Sequence, residues 1–162
     1  MPIEIRRATE DDWQVMRDIR LTALQQAPFA FGSTYERERD FDEQTWRARL
    51  SNPDGPTFLA FDGDRVVGLD GLYNDDGRLI LVAMWVAPGA RRAGVGRALT
   101  RAAIDWVAAR GDQRLLLGVA EDNEPARRLY ESLGFQLTGK AEPLHSDPSR
   151  LTLEMGLVLA RP

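Results

Sequence analysis

Apolar residues recur at three- and four-residue spacing from Trp13 through Met16, Ile19, Ala23 and Leu24, until Pro28 interrupts them. This predicts one amphipathic helix over Glu10 to Gln26. Thr9 to Asp12 read TEDD, the capping-box form that opens a helix, and Ile3 to Arg7 alternate as a short strand before it. The mixed aromatic and charged FAFGSTYERERDF then reads as a connection. Asp42 offers the cap of a second helix carrying Trp46 and Leu50.

TFLAF and RVVGLDGLY predict two strands joined at DGD, where Gly63 supplies the positive φ of a hairpin turn, and NDDG marks the next turn. RLILVAMWVA is apolar almost throughout, the pattern of a central strand covered on both faces, and Pro88 ends it. Val95, Leu99, Ala102, Trp106 and Val107 share one face of a third helix that Gly111 stops, and RLLLGVA is a strand again. A strand, helix and strand in this succession form a crossover unit with parallel strands. Asn123 as cap, Pro125 in the first turn, Ala126, Leu129, Tyr130 and Leu133 on one side and Gly134 as stop predict a fourth helix. FQLTG and RLTLEMGLVL close the chain as an antiparallel pair. No internal repeat or linker interrupts 1–162, which reads as a single domain.

Composition narrows the chemistry. With no cysteine and one histidine, His145, thiol nucleophiles and the usual zinc ligand sets drop out, so no metal is expected. The net charge of -4 offers no whole-molecule basic field for nucleic acid, and any anion site must be local. The N-terminal MPIEIRRATEDDW lacks an apolar signal core and no eighteen-residue apolar run occurs. The expectation is a soluble, cytoplasmic protein without membrane partners.

One local asymmetry stands out. VAPGARRAGVGRAL, Val86 to Leu99, places Gly94 and Gly96 at the start of a helix, behind Arg91 and Arg92 and ahead of Arg97 and Arg101. Glycines without Cβ, unpaired amides and the positive end of the helix dipole suit a diphosphate, although a plain turn between strand and helix has the same local pattern. GxxxxGK[ST] is absent, and the GxGxxG match stops after Gly96.

Arg91, Gly94 and Gly96 fill the [RQ]xxGx[GA] core that resembles motif A of the GNAT superfamily of acetyl-CoA-dependent N-acetyltransferases. VAEDNEPARRLYESLGF resembles that family's second signature through Asn123, Tyr130, Gly134 and Phe135. The resemblance spans nearly the whole chain. It implies an α/β (mixed α+β) three-layer fold, in which a central mixed, mostly antiparallel sheet splays between two parallel strands and about four helices flank it.

It also implies acetyl-CoA as cosubstrate, held by Met84, Trp85 and Val86 on the strand, by Arg91, Arg92, Ala93, Gly94, Val95, Gly96 and Arg97 on the loop, and by Asn123 and Tyr130 beyond. The reaction implied is direct attack of an amine on the thioester. A backbone N–H near Val86 serves the oxyanion and Tyr130 protonates the departing thiolate, a phenol of pKa about 10 being protonated at neutral pH. Each role has a structural alternative: Val86 and Tyr130 as core residues, Asn123 as a helix cap.

The amine must lose a proton before attack. Glu36, Glu38, Asp70, Asp75 and His145 are the side chains considered as base, with a water chain as the alternative, because LVAMWVA carries no carboxylate on the central strand. Phe29, Phe31, Tyr35 and Tyr73 are aromatic candidates for an acceptor wall, or equally for packing. The acceptor itself is not named by any of these residues, and a paired C-terminal strand would support a homodimer. A noncatalytic acyl-CoA-binding module on the same fold is the competing reading.

Overall fold

The structure is a computed structural model that describes residues 2–28, 31, 33–144 and 147–159. Five helices and seven strands follow one another in the expected order among the described residues: β1 Ile3–Arg7, α1 Trp13–Gln26, α2 Tyr35–Glu38, α3 Glu43–Leu50, β2 Thr57–Asp62, β3 Arg65–Asp75, β4 Arg78–Val86, α4 Val95–Arg110, β5 Arg114–Ala120, α5 Glu124–Ser132, β6 Gln136–Leu144 and β7 Asp147–Val158. The strands form one sheet in the order β1-β2-β3-β4-β5-β7-β6.

Local signals explain most boundaries. The TEDD segment is a single 3-10 turn, Glu10–Asp12, running straight into α1. The Thr9 N–H donates to the Asp12 carboxylate at 2.8 Å, while Arg6 grips the same carboxylate with two bonds of 2.8 Å. Asp42 caps α3 by accepting from the Thr45 N–H at 2.8 Å. Gly63 and Gly77 take φ of 63° and 89° at the two hairpin turns, and Gly111 ends α4 at φ 92°. One element was not foreseen: α2 is a one-turn helix inside the aromatic connection, capped by Thr34 accepting from the Arg37 N–H.

Two apolar layers cover the sheet. On one face α4 and α5 seal a core with Leu99, Ile104, Val107, Tyr130, Leu133 and Phe135. On the other, α1 and α3 pack Met16, Ile19, Leu24, Trp46 and Leu50 against Leu59, Leu69 and Trp85. The result is the three-layer mixed architecture, antiparallel at every pairing except β4 with β5. β7 lies between β5 and β6, so the C-terminal hairpin joins the sheet through its second strand.

Candidate functional site

The site begins where the parallel pairing fails. β4 and β5 pair only at Ile80 with Leu116 and Leu81 with Leu117. Beyond that, β4 runs on through Val82 to Val86 and β5 through Gly118 to Ala120 with no pairing between them. The two strands part into a wedge whose upper edges carry the loop before α4 on one side and the start of α5 on the other. Backbone N–H and C=O groups along the parted edges lack a strand neighbour, and such groups require partners.

A bulge sits on the β4 side of this wedge. Leu69 of β3 pairs with Trp85 and Gly71 pairs with Val82, so Ala83 and Met84 together stand opposite Asp70. Ala83 takes φ 59°, a left-handed conformation uncommon for a residue with a Cβ. After the bulge, Met84 and Val86 pack toward the α4–α5 layer while Trp85 is buried in the α1–α3 layer, its Nε1 without a partner. Of the three strand residues in the binding set, Trp85 thus turns its side chain away from the α4–α5 face.

The glycine loop divides its labour. Gly94 is the N-cap of α4 at φ 79°, with open space where a Cβ would stand. A Cβ on Gly96 would come within 3.3 Å of Leu129 Cδ2 and 3.9 Å of Val86 Cγ2, so that glycine admits α5 and β4 to the helix. Arg91 Nε donates to the Val86 carbonyl at 3.0 Å, and Arg97 donates to Ser132 Oγ at 2.7 Å, tying α4 to α5. Arg92 stands exposed at φ 69°, Ala93 is also exposed, and Val95 is buried. The amides of the first turn of α4 have no helical partner and face the positive end of the dipole.

Across the wedge, the Asn123 Oδ1 accepts from the Ala126 N–H at 3.3 Å and so caps α5. Tyr130, two turns on, is 7% exposed and meets Phe135 edge to face. Burial, helped by the nearby charge of Asp70, pushes its hydroxyl up to about 12.

Asp70, one of the side chains considered as base, lies in the interior. It is 0% exposed, neither carboxylate oxygen has a hydrogen-bond partner among the described residues, and burial raises its pKa well above the usual carboxylate range. Burial therefore favours the neutral form, and a carboxyl in that form is a poor proton acceptor.

The other base candidates fare differently. Glu38 is fully buried yet ionised: burial alone would raise its pKa, but Arg20, Ser33 and Arg49 together outweigh burial and hold it down at about 2. Arg20 makes two bonds of 3.0 Å to Glu38 and Arg49 one of 2.9 Å, which occupies both oxygens. Asp75 pairs with Arg78 at 2.7 Å and Glu36 is exposed. His145 lies outside the described residues, as does Phe29. Among the remaining aromatics Phe31 is buried beneath Arg20, 4.7 Å from its ring centre, Tyr35 is half-buried against the α1–α3 layer, and Tyr73 is 57% exposed on β3. Phe31 and Tyr35 share the α1–α3 layer, whereas Tyr73 stands exposed on β3. A separate open cavity of about 320 Å³ lies on the α1 face, lined by Asp18, Thr22, Asp64, Trp85 and Pro88, away from the glycine loop. Among the described residues no three His, Cys, Asp or Glu gather as metal ligands. Among the described residues no helix is long and apolar enough to cross a membrane.

The sheet thus splays beside a helix-capping glycine loop, with a buried tyrosine across the wedge. The model of the acetyltransferase (GNAT) family matches residues 13–135, and the chain belongs to that family. It is 33% identical over 141 residues to mycothiol acetyltransferase of Kocuria rhizophila, covering 83% of this chain and 45% of that one. Streptothricin acetyltransferase of Streptomyces lavendulae is 40% identical over 68 residues, covering 42% of this chain and 36% of that one. The chain therefore spans less than half the length of the curated relatives it matches. Among solved structures, the Salmonella typhimurium protein yncA with its cofactor acetyl-CoA superposes with a TM-score of 0.80 at 22% identity, over 99% of this chain and 95% of that one.

Proposed function

We propose that this protein is an N-acetyltransferase that moves the acetyl group of acetyl-CoA to a primary amine by direct attack on the thioester. The observation that carries the reading is the wedge: pairing between β4 and β5 ends at Leu81 and Leu117, just where the Ala83 bulge turns the strand. The amides at the start of α4, with Arg91, Arg92 and Arg97 around them, suit the diphosphate, and the parted edges suit the amide groups of a pantetheine arm. Acetyl-CoA supplies the activated acyl carbon. The unpaired backbone of β4 toward Val86 supplies N–H donors for the oxygen that gains charge.

Tyr130 is the proton donor to the departing thiolate. Its hydroxyl is protonated at every physiological pH, as a donor must be. The upward push has a cost, however: a phenol at about 12 facing a thiol at ~8.5 transfers its proton uphill by roughly 5 kcal/mol. Something in the site has to favour the phenolate as it forms.

Release of free CoA thiol from acetyl-CoA across a panel of polyamines, amino acids, aminoglycosides and peptide N-termini tests the reading. One or more amines should give turnover, and Tyr130→Phe should lower kcat by about 10²-fold with little change in the KM for acetyl-CoA. Acetyl-CoA binding with no thiol release from any amine would instead support a binding module.

A further inference from the structure

Asp70 has no role in packing that an apolar residue would not fill better. A fully buried carboxyl with two unpartnered oxygens is costly, and such groups in a native protein call for a reason. Its position is specific. It is the single β3 residue facing the two-residue bulge at Ala83 and Met84, at the point where the wedge opens. Side chains alternate along β3, and Leu69 belongs to the α1–α3 layer, so Asp70 projects into the α4–α5 layer that contains Tyr130. Its charge reaches Tyr130, although the phenol lies beyond direct hydrogen-bond distance of its oxygens.

We propose that Asp70 is a positioning residue for the transfer step, a carboxylic acid joined through one buried water to the Tyr130 hydroxyl, to which it passes a proton as that hydroxyl gives up its own. The proposal rests on the acetyltransferase reading above. A bridging water would give the Asp70 carboxyl the partner that a buried polar atom requires.

The amine lone pair forms the C–N bond and the C–S bond breaks with its electron pair going to sulfur. Sulfur takes the Tyr130 proton, and the phenolate takes the Asp70 proton through the water. The surplus proton on nitrogen leaves to solvent, from which Asp70 is reprotonated. An ionised Asp70 opposes phenolate formation by its charge, whereas a protonated Asp70 favours it by donating a hydrogen bond. Burial, which favours the neutral carboxyl, thereby turns an obstacle into assistance.

No fixed charge intervenes among the described residues packed here. Phe58 of β2, which pairs with Asp70, and Ala83 and Met84 of β4 opposite it are uncharged, as is every residue that α4 buries, and Tyr130 of α5 is the titratable group on which its charge acts.

Infrared difference spectroscopy of the intact protein reads the pair without any acceptor. Wild type at neutral pH should show the carbonyl stretch of a protonated carboxyl. Asp70→Asn should lose it, and Tyr130→Phe should shift it by removing the far end of the hydrogen-bonded chain. With whichever amine the panel identifies, Asp70→Asn should lower kcat about tenfold or more while leaving the KM for acetyl-CoA within about twofold. The fall of wild-type kcat on the alkaline side, as Asp70 ionises, should vanish in that variant.

A protonated-carboxyl band absent from wild type, or unmoved by Tyr130→Phe, would overturn the pairing even if Asp70→Asn failed to fold. Unchanged kcat and an unchanged alkaline limb in Asp70→Asn would overturn the catalytic contribution. A shifted band with no thiol release from any amine would leave the hydrogen-bonded pair standing while removing both the transferase reading and the transfer step built on it.

Discussion

Glu38→Gln tests the ion triad that holds the α1–α3 layer together. The side chain keeps its size but loses its charge, leaving Arg20 and Arg49 without their shared carboxylate. Glu38 falls from an ordinary 4.5 to about 2, and at ~1.36 kcal/mol for each pKa unit the linkage amounts to ~3.4 kcal/mol. Arg49 is one-third exposed and can turn to solvent, so about 2–3 kcal/mol is the realistic loss. For a domain of this size that lowers Tm by roughly 5–10 °C.

The pH dependence gives the sharper signature. A carboxylate whose folded pKa is depressed contributes stability that is present above its unfolded value near 4.5 and is lost as pH falls toward 2. Thermal and urea melts at pH 7 and near pH 3 should therefore show a wide gap between wild type and variant at neutral pH, narrowing in acid. Acetyl-CoA binding should survive in the folded fraction, because the triad lies on the face opposite the glycine loop. A gap below about 0.5 kcal/mol at pH 7, or one that does not narrow in acid, would refute the electrostatic account.

Two further variants probe the wedge side. Gly94→Val places a β-branched residue at φ 79°. It should cost about 1–2 kcal/mol and weaken acetyl-CoA binding in a titration, even though no atom obstructs the new side chain. Asp70→Asn removes a carboxyl whose folded pKa is raised, so wild type loses stability as pH rises above the unfolded value near ~3.9 while the variant does not. The variant should melt higher at pH 7, and the advantage should disappear below about pH 4; equal melts at pH 7 would contradict the burial penalty.

Much of the architecture was legible because its signals are short-ranged. The Asp42 and Asn123 caps, the turn glycines at Gly63 and Gly111, and the strand–helix–strand crossover around Gly94 each depend on neighbours within a few residues, which the bare chain already displays. Two motifs in order carried the family assignment, which the match over residues 13–135 confirms. The acceptor wall was harder to read, since Phe31, Tyr35 and Tyr73 obey the same spacing whether they line a pocket or pack. The structure buries the first, half-buries the second and exposes the third.

By itself the sequence determined the order of every element but α2, most helix ends, the parallel pair and the absence of a cysteine nucleophile. Tertiary structure alone decided that β7 would insert between β5 and β6, that two residues of β4 would oppose one of β3, and what two similar-looking acids would become. Glu38 and Asp70 are both fully buried. One meets two arginines brought from α1 and α3 and stays charged, while the other meets only apolar strands and a phenol and is driven toward neutrality. The physical reason is that a carboxyl's charge state depends on which distant groups folding delivers to it, and register and burial are settled between segments far apart in the chain.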